Sequence, residues 1–253
     1  MIRSNLLKIT VAALLTLTSI DCQRGAKMEN ILVITGGHDF EPSLYQVFDS
    51  FKNVHYDTLS QPDFNKKLSS GVAEPYDVLV FYDMWQEIGA AERTAFLALL
   101  EKGKGMVFLH HSLVSYQHWD EFEKIVGGKY IEKEYHGDPA VQGSTYAEDI
   151  TLEIKVVDPH HPVTRNVADF TIYDEGYQNI RINPDIHPLL SVSHPDCAET
   201  VAWTNSYGRS RIVYLMLGHD HHAHENENYR QLVFNAVKWV GGGRMKKHTQ
   251  SRS

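Results

Sequence analysis

Cysteine is nearly absent: Cys22 and Cys197 are the only two in 253 residues. Two thiols build neither a disulfide framework nor a cysteine-rich zinc site. Basic charge is in deficit, with 24 Lys and Arg against 32 Asp and Glu and a formal net charge of −8. That balance argues against nucleic acid or an anionic membrane as the main partner. Long hydrophobic runs are missing as well. The apolar run Ile9 to Ile20, "ITVAALLTLTSI", falls short of the roughly 20 residues that span a bilayer. What the chain has in excess is histidine, 15 residues able to titrate near neutral pH and to bind metals.

The amino terminus reads as a leader. "MIRSNLLK" is short and basic, and the apolar run after it suits the core of a signal peptide, so residues 1–27 are set aside from the fold. Cys22 stands at the spacing of a lipoprotein cysteine, yet Asp21 occupies a position where such sites prefer a small residue. A lipid anchor through Cys22 and simple cleavage both remain open. A start at Met28, in "MENILVITGG", would instead open a complete cytosolic domain. Export to the periplasm or the outer membrane is the favoured reading.

Residues 29–241 read as one α/β domain. "NILVITGG", "VHYDTL", "YDVLVFYD" and "MVFLHH" are short apolar runs, and "SLYQVFDSFK" and "AAERTAFLALLEKGKG" are helical stretches between them. Strands alternating with helices imply right-handed crossovers and a mostly parallel central sheet. "WDEFEKIVGG" is a further helix. "KYIEKEY", "ITLEIKVV", "FTIYDEGY" and "HPLLSV" follow with alternating patterns, as an antiparallel excursion would show. "DPHHPVTRN" is a rigid turn, and "GKG" at Gly103 to Gly105 is a helix stop, not a phosphate cradle. "NYRQLVFNAVKWV" closes the domain as an amphipathic helix, and residues 242–253 form a polar, basic tail expected to be disordered.

In an open parallel sheet, ligands bind beyond the carboxyl ends of the strands. The side chains placed there are His38 and Asp39, Asp83, the run His110-His111-Ser112, and His219 with Asp220. Glu175 in "DEGY" is a further acid, and Tyr116, Trp119, Tyr130, Tyr135, Tyr173 and Tyr177 surround the rim. Within "LGHDHHAHE", His219 follows its strand directly and belongs to the rim. His221, His222 and His224 read as a solvated lip. His136, in "KEYHGD", is the weakest member of the set.

"ILVITGGHDF", "GKGMVFLHHSLVSYQHWDEFEKIVGGKY", "DEGY" and "VAWTNSYGRSRIVYLMLGHD" with its closing "NAVKWV" resemble the ThuA-like (trehalose utilisation) family over essentially the whole domain. The resemblance implies a flavodoxin-like, class I glutamine amidotransferase-like three-layer sandwich and a place in bacterial carbohydrate metabolism. Amidotransferases of that fold carry a nucleophilic cysteine in the turn after the fourth-type strand. Here that turn is "LHHSLVS". Without a thiolate no glutamine-derived thioester forms, so amidotransferase activity is rejected.

Three functions fit these residues. The first is metal-assisted hydrolysis or isomerisation of a sugar or keto-sugar. His111, Asp83, Glu175 and His219 would be catalytic, and His38, Asp39, His110, Ser112, Trp119 and Tyr177 would hold substrate. A divalent ion such as zinc would sit on His111, His136 and His219. No "HExxH" spacing exists, so each ligand must come from a different loop. The second is a serine hydrolase with Ser112 as nucleophile and His111 or His219 as base, although "HHSLV" lacks the glycines of a nucleophile elbow and Ser112 is more simply a helix cap. The third is a carbohydrate-binding module without turnover.

Overall fold

Three apolar runs, two of them buried along their whole length, form the centre of the sheet. In the computed structural model, which describes residues 28–135 and 140–242, β3 (Val78–Asp83) and β4 (Gly105–Leu109) have every residue buried, and β1 (Glu29–Gly36) has all but its second and last. Such runs belong to parallel strands covered on both faces. The leader with Cys22, the tail beyond residue 242, and His136 lie outside the described residues. Among the described residues no helix is long and apolar enough to cross a membrane.

The nine-stranded sheet has the order β2-β1-β3-β4-β11-β10-β9-β6-β7. β2 (Val54–Ser60), β1, β3, β4 and β11 (Ser210–Leu215) pair in parallel. From β11 onward every pairing is antiparallel, through β10 (Thr200–Tyr207), β9 (His187–Val192), β6 (Thr145–Val156) and β7 (Phe170–Gln178). The chain leaves β1 first for β2 on one side and then for β3 on the other. The switch point where α/β folds of this order bind ligands therefore lies between β1 and β3.

Helices cover both faces. α1 (Ser43–Asp49), α5 (His221–Glu225) and α6 (Glu227–Gly241) pack together on one side. α2 (Asp63–Lys67), α3 (Ala90–Lys102) and α4 (Asp120–Val126) lie on the other, where Phe96 of α3 meets Trp119 at the head of α4. In α6 the buried residues Tyr229, Leu232, Val233, Ala236, Val237 and Val240 recur at the spacing of one helical face. Its first turn is capped by the Asn226 side chain, which accepts from the backbone N–H of Asn228 and Tyr229. α3 ends at Gly103, at φ 85 in the left-handed region. The architecture is the flavodoxin-like sandwich expected from the sequence, with half its sheet pairings antiparallel.

Two expectations need correction. "KYIEKEY" is not a strand: only Gly128–Lys129 (β5) pairs, with Arg181–Ile182 (β8), and Lys133–Tyr135 forms a 3-10 turn. Its backbone groups find other partners. The Gln117 side chain donates to Tyr130 O at 2.8 Å, and Ile131 N donates to Ser144 Oγ at 2.8 Å. Asp83, expected at the rim as a catalytic acid, instead lies inside, 1% exposed. It follows Tyr82 in β3, and successive strand side chains point to opposite faces. Tyr82 takes the pocket side; Asp83 faces Gln61, which donates to it at 2.8 Å within a cluster that also holds Asn65 and Tyr116.

Both features have measurable consequences. Burial pushes the Asp83 carboxyl up from 3.8 to about 7, against the pull of the Gln61 hydrogen bond. A folded-state value above the unfolded one means that this group's contribution to stability is fully present below pH ~4 and is lost as pH rises through about 7. Asp83→Asn should therefore stabilise the protein at pH 8 by up to a few kcal/mol and do little at pH 4. Denaturant melts across pH 4–8 would show a shallower dependence in the variant. Gly37 sits at φ +87, and a Cβ there would lie 1.7 Å from Met84 O. Since neither backbone segment can yield, Gly37→Ala should cost at least about 2 kcal/mol, read as a lowered urea midpoint.

Candidate functional site

The carboxyl ends of β1, β3, β4 and β11 open into a cavity of about 220 Å³. Its lining includes His38 and Asp39 after β1, Tyr82, Met84 and Trp85 at the end of β3, His110, His111 and Val114 after β4, and His219 after β11. β6 and β7 supply Tyr146, Glu148, Glu175 and Tyr177, and Tyr130 completes the wall. Four strand ends thus deliver polar side chains to one hollow, as their chain order predicts. None of the described lining residues is a lysine or arginine.

β7 is four strands away from β11 in the sheet, yet its residues touch the β11 end directly. Asp174 accepts from Gly218 N at 2.8 Å and from His219 N at 2.9 Å. Tyr177 N approaches Met216 Sδ at 3.5 Å. The antiparallel extension therefore curls back over the parallel strands. A register shift in β6 between Ala147 and Ile150 bends the strand just where Tyr146 and Glu148 face the cavity. The loop carrying His219 is held from the other side too: Tyr82 Oη donates to Gly218 O at 2.7 Å and to His219 O at 3.0 Å.

His110 is the best-determined side chain in the floor. It opens the turn after β4 with φ 48, a left-handed conformation uncommon outside glycine. Its Nδ1 lies 2.7 Å from Met216 O. A carbonyl only accepts, so Nδ1 carries the hydrogen and Nε2 presents a lone pair to the cavity. Around that lone pair stand Tyr177 Oη at 3.1 Å, His219 Nδ1 at 3.1 Å and Glu175 Oε1 at 3.6 Å. His219 Nδ1 also lies 3.2 Å from Glu175 Oε2. Burial, reinforced by His111 and His219, holds the His110 imidazole well below the ordinary histidine range. Burial likewise pushes the Glu175 carboxyl up to about 8, with the charge of Glu148 adding to the push.

The other expected residues divide. His111 lines the cavity, where burial lowers its imidazole to about 3 and the His38 ring stands 5.3 Å away, edge to face. His38 in turn faces the ring of Trp85 at 5.9 Å. Ser112 and Trp119 do not reach the cavity. Ser112 is fully buried within the 3-10 turn and caps no helix; its Oγ hydrogen-bonds no described residue. Trp119 is packed in the core between Phe96 and Phe122. The imidazole that groups with His219 is His110, one residue before the expected His111. His222 is exposed and His221 half-buried, as a lip would be, but His224 is fully buried. Its ring bridges Ser43 Oγ at 2.8 Å and Gly218 O at 3.1 Å, which makes it a support of the His219 loop.

Sequence reasoning missed Tyr82, Trp85, Tyr146 and Glu148. Trp85 had a signal, since it stands two residues beyond the end of β3. At φ 53 and 48% exposed, it is held at the cavity mouth by a 2.9 Å hydrogen bond to Glu132 Oε1. Tyr146 and Glu148 had none, because their place depends on the curl of the extension. Cys197 is buried against Met216, its thiol pushed up to about 12 by burial.

Comparison with known proteins agrees with this architecture. A ThuA-like protein from Parabacteroides merdae is 21% identical with a TM-score of 0.72, over 88% of this chain and 94% of that one. Another from Bacteroides uniformis is 23% identical with a TM-score of 0.64, over 85% and 92%. A β-galactosidase from Bacillus circulans aligns at 11% identity and TM-score 0.59, over 87% of this chain but 34% of its own. No curated protein matches in sequence. These likenesses show a shared fold. The family model described as ThuA, trehalose utilisation, matches residues 30–240, and the chain therefore belongs to the ThuA family.

Proposed function

We propose that the protein processes trehalose or a keto-derivative of it, with one sugar ring seated over His110, Glu175 and His219. The reaction class is hydrolysis or isomerisation, by acid–base chemistry alone or with a metal's help. The observation that carries this reading is the meeting of two imidazoles and a carboxylate from three separate elements in the floor of one cavity. Both reactions require a proton to move between the sugar and a positioned side chain, and imidazole and carboxyl groups are the usual carriers. The family's link to trehalose utilisation supports the substrate class.

The mouth supports it as well. The rings of Trp85 and Tyr146 are 48% and 61% exposed beside the cavity. Exposed aromatics at a cleft offer an apolar face with a polar edge, suited to the C–H face of a sugar whose hydroxyls bond elsewhere. A cavity of about 220 Å³ is commensurate with one ring, which leaves the second ring of a disaccharide at the mouth. A serine mechanism gains no support, since the buried Ser112 hydroxyl contacts no histidine base.

Turnover of trehalose, and of trehalose oxidised at one secondary hydroxyl, tests the reading by product analysis. Glu175→Gln should lower kcat by roughly 10²–10⁴. If the wild type binds either sugar in a calorimeter but alters neither, the protein is a binding module. Trp85→Ala should raise KM roughly fivefold with kcat nearly unchanged, a loss of about 1 kcal/mol of binding. An unchanged KM would remove Trp85 from the substrate's path.

A further inference from the structure

His110 Nε2, His219 Nδ1 and the Glu175 carboxylate all lie within 4.8 Å of one another. We propose that these three groups bind one divalent first-row ion, zinc best of all, with a coordination position open toward the cavity. The inference concerns the site assigned above to the sugar reaction and rests on that reading for its purpose, but ion binding itself involves no sugar.

Geometry is the first support. An ion held tetrahedrally at about 2.0–2.1 Å places its ligand atoms about 3.3 Å apart. Here His110 Nε2 and His219 Nδ1 are 3.1 Å apart, and the carboxylate straddles them, with Glu175 Oε2 3.2 Å from His219 Nδ1 and Glu175 Oε1 3.6 Å from His110 Nε2; with one oxygen as ligand, all three atoms lie within 4.8 Å. Small movements of side chains would bring one point within bonding distance of all three. Two histidines, one glutamate and an open fourth position form a donor set that zinc enzymes use.

The state of the ligands is the second. His110 donates its Nδ1 hydrogen to Met216 O, which fixes the tautomer and aims an unprotonated Nε2 into the floor. A metal-binding histidine is ordinarily oriented in this way, by giving its other N–H to a backbone carbonyl or carboxylate. Tyr177 Oη donates to the same lone pair, a hydrogen bond that the ion would displace. His219 is positioned one step further out, through the grip of Asp174 on the backbone N–H of Gly218 and His219.

Charge is the third. Asp39, Glu148 and Glu175 line the cavity, and among the described residues no lysine or arginine does. Asp174 stands directly behind them, 3% exposed. Asp39 and Glu148 are exposed, whereas Glu175 and Asp174 are buried, and a buried carboxylate is costly unless a partner or a cation is close. A divalent ion at the triangle would supply that cation beside Glu175, where no described lining residue is a lysine or arginine.

A second group, Asp220, His221 and His222, also brings ligand atoms together. It makes a poorer site. His221 is engaged by Glu41 at 3.0 Å and His222 by Asp220 at 3.0 Å, and both rings are about half exposed. It is therefore the control.

The protein, prepared without a histidine tag, is stripped with a chelator, dialysed against zinc or cobalt(II) and assayed by elemental analysis. The expected result is about one ion per chain for the wild type, with a visible cobalt spectrum of tetrahedral type. Glu175→Gln, which conserves shape, and His219→Ala should each weaken binding by roughly 10²-fold or more. The double variant His221→Ala, His222→Ala should bind as the wild type does. Circular dichroism and thermal melts confirm that each variant is folded, and Glu175→Gln decides the matter if His219→Ala is not. Absence of bound ion in the wild type overturns the proposal. So does binding that survives Glu175→Gln and disappears in the double variant. Sugar turnover is scored separately: a bound ion without turnover retires the sugar reading alone, and turnover without a bound ion retires the ion alone.

Discussion

Two backbone N–H groups pointing into one carboxylate join the halves of this molecule. Gly218 and His219 belong to the loop that ends the parallel half of the sheet, and Asp174 belongs to the last strand of the antiparallel half. Tyr177 adds its own contacts, N–H to Met216 Sδ and Oη to His110 Nε2, so the extension overlies the parallel half and brings Glu175 above His110. Asp174 is itself buried, and burial pushes its carboxyl up to about 7 despite three backbone hydrogen bonds that pull it down. A buried acid replaced by an apolar residue of similar size would often do no harm. Here such a replacement would leave three N–H groups, of Glu175, Gly218 and His219, unpaired, each costing about 1–3 kcal/mol. The acid is retained by the groups it satisfies, and those groups place His219.

The parallel half was legible in the sequence because its logic is local. Apolar runs too short for helices, helices between them, and a polar residue at each strand end are enough to put His38, His111 and His219 on one rim. What the pattern could not reveal was phase. In a strand buried on both faces, apolar alternation vanishes, so nothing in "LVFYD" says which of Tyr82 and Asp83 faces the pocket. The same ambiguity exchanged His110 for His111 as the partner of His219. In a tight 3-10 turn successive side chains diverge, and only the carbonyl of Met216, 106 residues away, decides which one enters the floor.

The antiparallel half was legible as strands and opaque as a site. Glu175 could be named as an acid, yet its distance from His110 follows from the curl of the extension and the register shift in β6. His224 shows the same limit. It sits in a run of exposed histidines and nothing nearby marks it as different, but Ser43, 181 positions earlier, accepts it into the core. Local composition describes a stretch of chain; long-range partners decide which members of the stretch are buried.

The turn after β4 shows how a local strain can be held in place by distant partners. In this chain the first residue of the turn is His110, at φ 48, where glycine would be the relaxed choice. A non-glycine residue in such a conformation costs of order 1 kcal/mol or more and persists only when its surroundings over-determine it. They do: Tyr214 Oη donates to the His110 carbonyl at 3.0 Å, and the imidazole is tied to Met216 O at 2.7 Å. Both anchors come from β11 and the residue just after it, the strand beside β4 in the sheet. The pairing of two parallel strands is thus converted into a fixed direction for one ring. An imidazole held this way offers a lone pair at a set point, where a proton or an ion can be taken up.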